Sequence, residues 1–150
     1  MKRPLRVMLI DDNPLDRALA EEAFALLKQP CTLVTMPSGI EALHVLMAAD
    51  TLLPDLVLLD INMPGMNGLA VLEKIKGHPT LKNLPVLMLT TSMADDDLRR
   101  AYALHASAYL PKAVSFEGFL TQLEGLVTFW HNAKTTTWPN TLTPENLMPQ

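Results

Sequence analysis

The sequence predicts an α/β fold: one parallel sheet of five strands, wound on both faces by helices. Three observations carry that reading. The run Leu56-Val57-Leu58-Leu59 is apolar throughout and ends in Asp60, and Val86-Leu87-Met88-Leu89 repeats the pattern. Short unbroken apolar runs mark strands buried on both faces, as in parallel sheets. Strands and helical segments alternate five times, with connections too short for anything but right-handed crossovers.

The first strand, Leu5–Ile10, ends in Asp11-Asp12-Asn13. Pro14 suits the first turn of a helix, where its missing N–H costs nothing. Leu15, Leu19, Ala23 and Leu26 mark the expected buried face of that helix. Residues 32–36 form a second strand rich in β-formers. Ser38, with Glu41 three residues on, has capping-box spacing for a helix reaching residue 49, and Pro54 stops anything further. The third strand is the run ending in Asp60. Met63-Pro64-Gly65-Met66-Asn67-Gly68 is a constrained turn before a helix over residues 68–76, closed by Gly77 and Pro79.

The fourth strand runs into Thr90-Thr91-Ser92. Asp95, Asp96 and Asp97 then open a helix, where carboxylates favour the positive end of the dipole. Ala108-Tyr109-Leu110 is a short fifth strand, and a last helix spans residues 116–130 with Phe116, Leu120, Leu123, Val127 and Trp130 as its stripe. After residue 132 the composition turns to proline and threonine without helical periodicity. The expected organisation is a domain over residues 1–132 and an extension over 133–150.

Composition narrows the function. A formal charge of −4 and a pI near 5.5 leave no electrostatic footprint for nucleic acid. One cysteine, Cys31, excludes an internal disulfide and fits a reducing compartment. The N-terminus lacks a signal peptide's apolar region, and no apolar run is long enough to cross a bilayer. The expectation is a cytoplasmic protein with no membrane association. His44, His78, His105 and His131 are scattered without ligand spacing, and the methionines read as core filler. Neither G-x-x-x-x-G-K-[ST] nor G-x-G-x-x-G occurs, so nucleotide binding has no motif.

Polar groups gather at matching strand ends: Asp11 and Asp12 after the first strand, Asp60 after the third, Thr90 at the fourth and Lys112 past the fifth. Parallel strands bring all of them to one edge of the sheet, where open α/β sheets place their ligands. Three carboxylates there repel one another, and a hard divalent cation such as Mg²⁺ offsets that repulsion. A lysine and a hydroxyl beside the metal complete a phosphoryl site. The blander readings are an acidic pair that caps the first helix and a Tyr109 that is ordinary half-buried core.

These motifs resemble the receiver domain of two-component signalling, a CheY-like response regulator. The acidic pair Asp11-Asp12, the segment from Leu59 to Gly68, Thr90, and Tyr109 followed by Lys112 carry the resemblance, which covers residues 5–130. It implies a flavodoxin-like (βα)5 sheet of order 2-1-3-4-5. It implies that Asp60 is the phosphoacceptor, taking the phosphoryl group of a phosphohistidine on a sensor histidine kinase. Asp12 then binds Mg²⁺ directly, Asp11 through water, Asp60 as the third acidic ligand and Asn62 by its backbone carbonyl. Lys112 pairs with the phosphoryl oxygens, Thr90 hydrogen-bonds them, and Tyr109 turns inward in response. Such a protein catalyses its own phosphotransfer and dephosphorylation but is not an enzyme in the ordinary sense.

The sequence departs from the family at Ala113, which stands where proline usually follows the lysine. A cis bond there would cost about 2.5–4 kcal/mol rather than about 0.5–1, so a trans, differently shaped loop is expected. The pattern Tyr-Leu-x-Lys without proline, Leu-Thr-Thr-Ser at 89–92, and Phe129-Trp130 resemble the single-domain regulators that partner phytochrome histidine kinases. No DNA-binding or enzymatic domain is expected after Trp130. A homodimer through the fourth and fifth helices, with the tail and its Trp138 reaching across, is expected from the surplus apolar residues of the last helix. Two alternatives stand beside this reading. One is a phosphate sink without an output partner. The other is an aspartyl phosphohydrolase, which needs an acid/base two residues after the nucleophile, where Asn62 stands.

Overall fold

The computed structural model describes residues 3–48 and 50–133. Its sheet has five parallel strands: β1 (Leu5–Ile10), β2 (Cys31–Met36), β3 (Leu56–Leu59), β4 (Val86–Thr90) and β5 (Ala108–Pro111). Their order is β2-β1-β3-β4-β5, as the resemblance implies. The helices are α1 (Pro14–Ala25), α2 (Gly39–Leu46), α3 (Gly68–Gly77), α4 (Asp95–Ala103) and α5 (Phe116–Asn132).

Alternation along the strands divides the core into two layers. Met8, Ile10, Val57, Leu59, Val86 and Met88 point to one face and pack with Leu43, Leu69, Leu72 and Ile75 from α2 and α3. Val7, Leu9, Leu56, Leu58, Leu87 and Leu89 point to the other and meet Ala20, Ala23, Phe24, Leu123 and Val127 from α1 and α5. A strand covered on both sides has few polar positions to spare, which is why β3 and residues 86–89 of β4 read as apolar runs. The edge strand β2 alternates between half-buried and exposed positions along most of its length.

Two expectations about α1 fail. Leu15 and Leu26 are 65% and 58% exposed; Ala23 is buried as expected, and Ala20 and Phe24 complete the face with it. Leu15 lies five residues before Ala20, about 140° round the axis, and Leu26 is already the C-cap. α2 ends at Leu46, short of the expected residue 49, which itself lies outside the described residues. The tail beyond Ala133, including Trp138, also lies outside them.

The helices after the strand ends are capped by side chains, at Ser38 as the sequence suggests and also at Asn13 and Asn67. The Asn13 side chain accepts from the N–H groups of Leu15 and Asp16, Ser38 Oγ from Glu41, and Asn67 Oδ1 from Ala70. α4 differs: Ala94 stands at its N-cap and gives no side-chain hydrogen bond, and Ala101 is its one buried residue. Gly65 takes φ 79°, a conformation that favours glycine.

Candidate functional site

Among the described residues, the buried polar or charged side chains are Asp11, Asp60 and Thr90, at 1%, 8% and 0% exposure. All three stand at the carboxyl edge of the sheet. The ladder puts them there. The Asp60 N–H donates to the Ile10 carbonyl at 3.1 Å, and the Lys112 N–H donates to the Thr90 carbonyl at 2.9 Å. Burying charge without compensation is costly, and an apolar core offers no reason to keep three such groups together.

One oxygen each of Asp11, Asp12 and Asp60 lies within 4.8 Å of the others, a spacing that one cation can bridge. Asp60 Oδ1 is buried and has no hydrogen-bond partner. An orphaned carboxylate oxygen beside two further carboxylates fits an oxygen-seeking divalent cation. Asp11 Oδ1 accepts from the Asn13 N–H at 2.9 Å, and its Oδ2 accepts from Lys112 at 2.8 Å. Lys112 Nζ also donates to Asp16 at 3.1 Å and stands 3.9 Å from Asp60 Oδ2. Burial pushes the Asp11 carboxyl up, and the pull of Lys112 and Asn13 does not bring it back. Burial pulls the Lys112 ammonium down, but the hydrogen bonds and charges of Asp11, Asp16 and Asp60 outweigh it and leave it raised. Four carboxyl groups, Asp11, Asp12, Asp16 and Asp60, thus share a pocket with one ammonium.

On the other flank, Thr90 Oγ1 accepts from the Ser92 N–H at 3.1 Å. The Ser92 hydroxyl donates to Asp97 at 2.6 Å. Tyr109, half-buried, lies beside Met88 in the ladder. Asn62 is exposed, two residues past Asp60. Below them, Gly68 opens α3 against the backbone of Asp60. Its N–H donates to the Ile61 carbonyl at 2.9 Å, and a Cβ on it would overlap the Asp60 carbonyl oxygen. Asp11, Asp12, Asp60, Thr90 and Lys112 thus lie at one edge, and Lys112 reaches the carboxylates although Ala113 follows it. The reading from sequence missed Asp16, Arg17, Ser92 and Asp97. Arg17 donates to the Asp11 carbonyl at 2.8 Å, which fixes the acidic loop. Only proximity in the fold marks these residues, since polar residues in a first turn or a loop are common.

Residues 7–124 match the response regulator receiver domain. The chain belongs to that family. Rcp1, a response regulator of Synechocystis sp., is 32% identical over 131 residues, covering 85% of this chain and 89% of the relative. FilR2 of Methanothrix harundinacea, a probable methanogenesis regulatory protein, is 37% identical over 130 residues, covering 85% and 84%. The phosphorylated cyanobacterial phytochrome response regulator RcpA superposes with a TM-score of 0.81 at 36% identity, covering 88% of this chain and 97% of that one. The Mn²⁺-bound form of Rcp1 superposes at 0.79, covering 88% and 98%. The receiver fold, with its acidic pocket, is therefore that of a two-component signalling protein. No helix among the described residues is long and apolar enough to cross a membrane.

Proposed function

We propose that this receiver accepts a phosphoryl group on Asp60 from a phosphohistidine of a phytochrome-type sensor histidine kinase and signals through phosphorylation-dependent protein contacts. The observation that carries the reading is the buried, unpartnered Asp60 Oδ1, set among Asp11, Asp12, Thr90 and Lys112. In the transfer, a carboxylate oxygen of Asp60 forms the new P–O bond as the P–N bond breaks, and the histidine leaves as imidazole. Lys112 pairs with phosphoryl oxygens, and the Thr90 hydroxyl, which here only accepts, keeps its proton for the phosphoryl group. Tyr109 then rearranges as the β4–α4 loop moves. Mg²⁺ held by Asp11, Asp12, Asp60 and the carbonyl of Asn62 would neutralise charge on the phosphoryl group. Both self-catalysed transfer and dephosphorylation belong to this reading.

The phytochrome assignment is supported by the likeness to RcpA and Rcp1. Phosphotransfer profiling against the histidine kinases of the source organism tests it, and a kinetic preference for a kinase without a chromophore-binding module rejects it. The acceptor is tested by labelling with the phosphorylated kinase and Mg²⁺. Label should appear on Asp60 and vanish in Asp60→Asn; acid-stable label persisting in that variant sinks the assignment. Asp12→Ala should weaken Mg²⁺ binding and transfer together.

The receiver unit of residues 1–132 pairs, in the same reading, as a cytoplasmic homodimer through α4 and α5, with the extension 133–150 reaching across. Phe129, 64% exposed and edge-on to Trp130 at 5.3 Å, and Tyr102, 49% exposed, supply apolar surface on those helices. Light scattering at micromolar concentration tests the dimer, and truncation after Ala133 tests the extension.

A further inference from the structure

We infer that Asp16 is a positioning residue for Lys112: it draws the ammonium to the α1 side of the pocket and so keeps Asp60 open to a divalent cation and to a phosphoryl group. The inference rests on the Mg²⁺-dependent phosphoacceptor reading above. An ammonium has three donors and sits where its acceptors balance. Lys112 Nζ is hydrogen-bonded to Asp11 at 2.8 Å and to Asp16 at 3.1 Å, but stands 3.9 Å from Asp60 Oδ2, beyond hydrogen-bond reach. Asp60, the proposed acceptor, is thus reached by the lysine only as a 3.9 Å ion pair, without the hydrogen bond that Asp11 and Asp16 receive.

The local sequence explains how Asp16 holds its place. Asn13 caps α1 and Pro14 fixes its first turn, and Asp16 follows in that same turn, where the helix dipole favours a carboxylate. Asp16 is not one of the three carboxylates spaced for a cation, so it can hold the ammonium without occupying that site. There is also room for the lysine to lie there. A cavity of about 100 Å³ flanks Lys112 on this side, lined by Asp11, Asp16, Leu19, Phe116 and Phe119 among others. Without Asp16, Asp11 and Asp60 alone would share the ammonium, and it would move onto Asp60 and into the space the cation needs.

The test is Mg²⁺ titration of the full chain by calorimetry, with the wild type, Asp16→Asn, Asp16→Glu and each change repeated in a Lys112→Gln background. If Asp16 acts through the lysine, Asp16→Asn weakens Mg²⁺ binding by about fivefold when Lys112 is present and by less than about twofold when it is not. Asp16→Glu recovers most of the loss. A crystal structure of metal-free Asp16→Asn then has Nζ within hydrogen-bond distance of Asp60. Equal weakening in both backgrounds means a simple field effect and overturns the inference, as does an ammonium that stays off Asp60. Labelling of the wild type with a small phosphodonor runs alongside. No label on Asp60 overturns the phosphoacceptor reading, whereas label with equal weakening overturns the role of Asp16 alone.

Discussion

The Tyr109 hydroxyl donates to the carbonyl of Ser92 at 2.8 Å, tying β5 to the loop that follows β4. Ser92 also donates to Thr90 Oγ1 through its N–H and to Asp97 through its hydroxyl. One small residue thus connects Thr90, Tyr109 and the first turn of α4. Tyr109→Phe should cost about 0.5–1.5 kcal/mol in denaturant unfolding, the net value of one hydrogen bond. Exchange of the Ser92 amide should speed up while labelling of Asp60 stays the same. Unchanged stability and exchange would mean the bond holds nothing in place.

Gly68 admits no side chain. A Cβ there would overlap the Asp60 carbonyl oxygen and lie 2.8 Å from both the Asp60 carbonyl carbon and Ile61 Cα. These are backbone atoms and cannot rotate away. Gly68→Ala should destabilise by about 1–3 kcal/mol, the usual cost of overpacking, and should slow phosphorylation because α3 displaces Asp60. A variant with wild-type stability would show that the start of α3 can shift freely.

His105 ends α4 with φ 69°, the left-handed region that side chains avoid. Its N–H donates to Tyr102, and the next N–H donates to Ala101. The position is the one where helices most often use glycine. His105→Gly should raise stability by about 0.5–1 kcal/mol, strain relief less the added freedom of the unfolded chain. A fall in the thermal midpoint would mean the imidazole makes a compensating contact.

Asp55 fastens the start of β1. It accepts from Arg3 Nη1 at 2.7 Å and from the Arg6 N–H at 2.8 Å. Burial pushes its carboxyl up, but these hydrogen bonds and charges prevail and hold it below its ordinary value. A depressed carboxyl contributes stability above its unfolded pKa and loses it as pH falls through the folded one. Asp55→Asn should therefore cost about 1–3 kcal/mol at pH 7. The gap to the wild type should close below about pH 4. A gap that persists at low pH would assign the cost to shape rather than charge.

The parts legible in the sequence were those with local causes. Leu56 to Leu59 and Val86 to Leu89 announced central strands because burial on both faces leaves no polar alternation. Ser38 announced a helix start because capping is a contact across three residues. Asp11, Asp12, Asp60, Thr90 and Lys112 were legible as a group because parallel strands carry all their ends to one edge. What failed was what depends on how elements meet. Leu15 and Leu26 fit a helical stripe as well as Ala20 and Phe24, and only the docking of α1 on the sheet chooses between them. Asp16 carries no local signal of a role, because its partner Lys112 is 96 residues away. The strand order came from family resemblance, since apolar runs do not say which strands are neighbours.

The tight seat of Gly68 makes the pocket unevenly stiff. On the α3 side, helix and strand end touch backbone to backbone, so Asp60 has no slack in that direction. On the α4 side, the helix starts without a side-chain cap, buries Ala101 alone and is tied to the loop before it by the hydrogen bond from Ser92 to Asp97. A load applied at Asp60 is therefore carried by a rigid wall on one side and a compliant one on the other. A displacement at Asp60 should then move the start of α4 more than the start of α3.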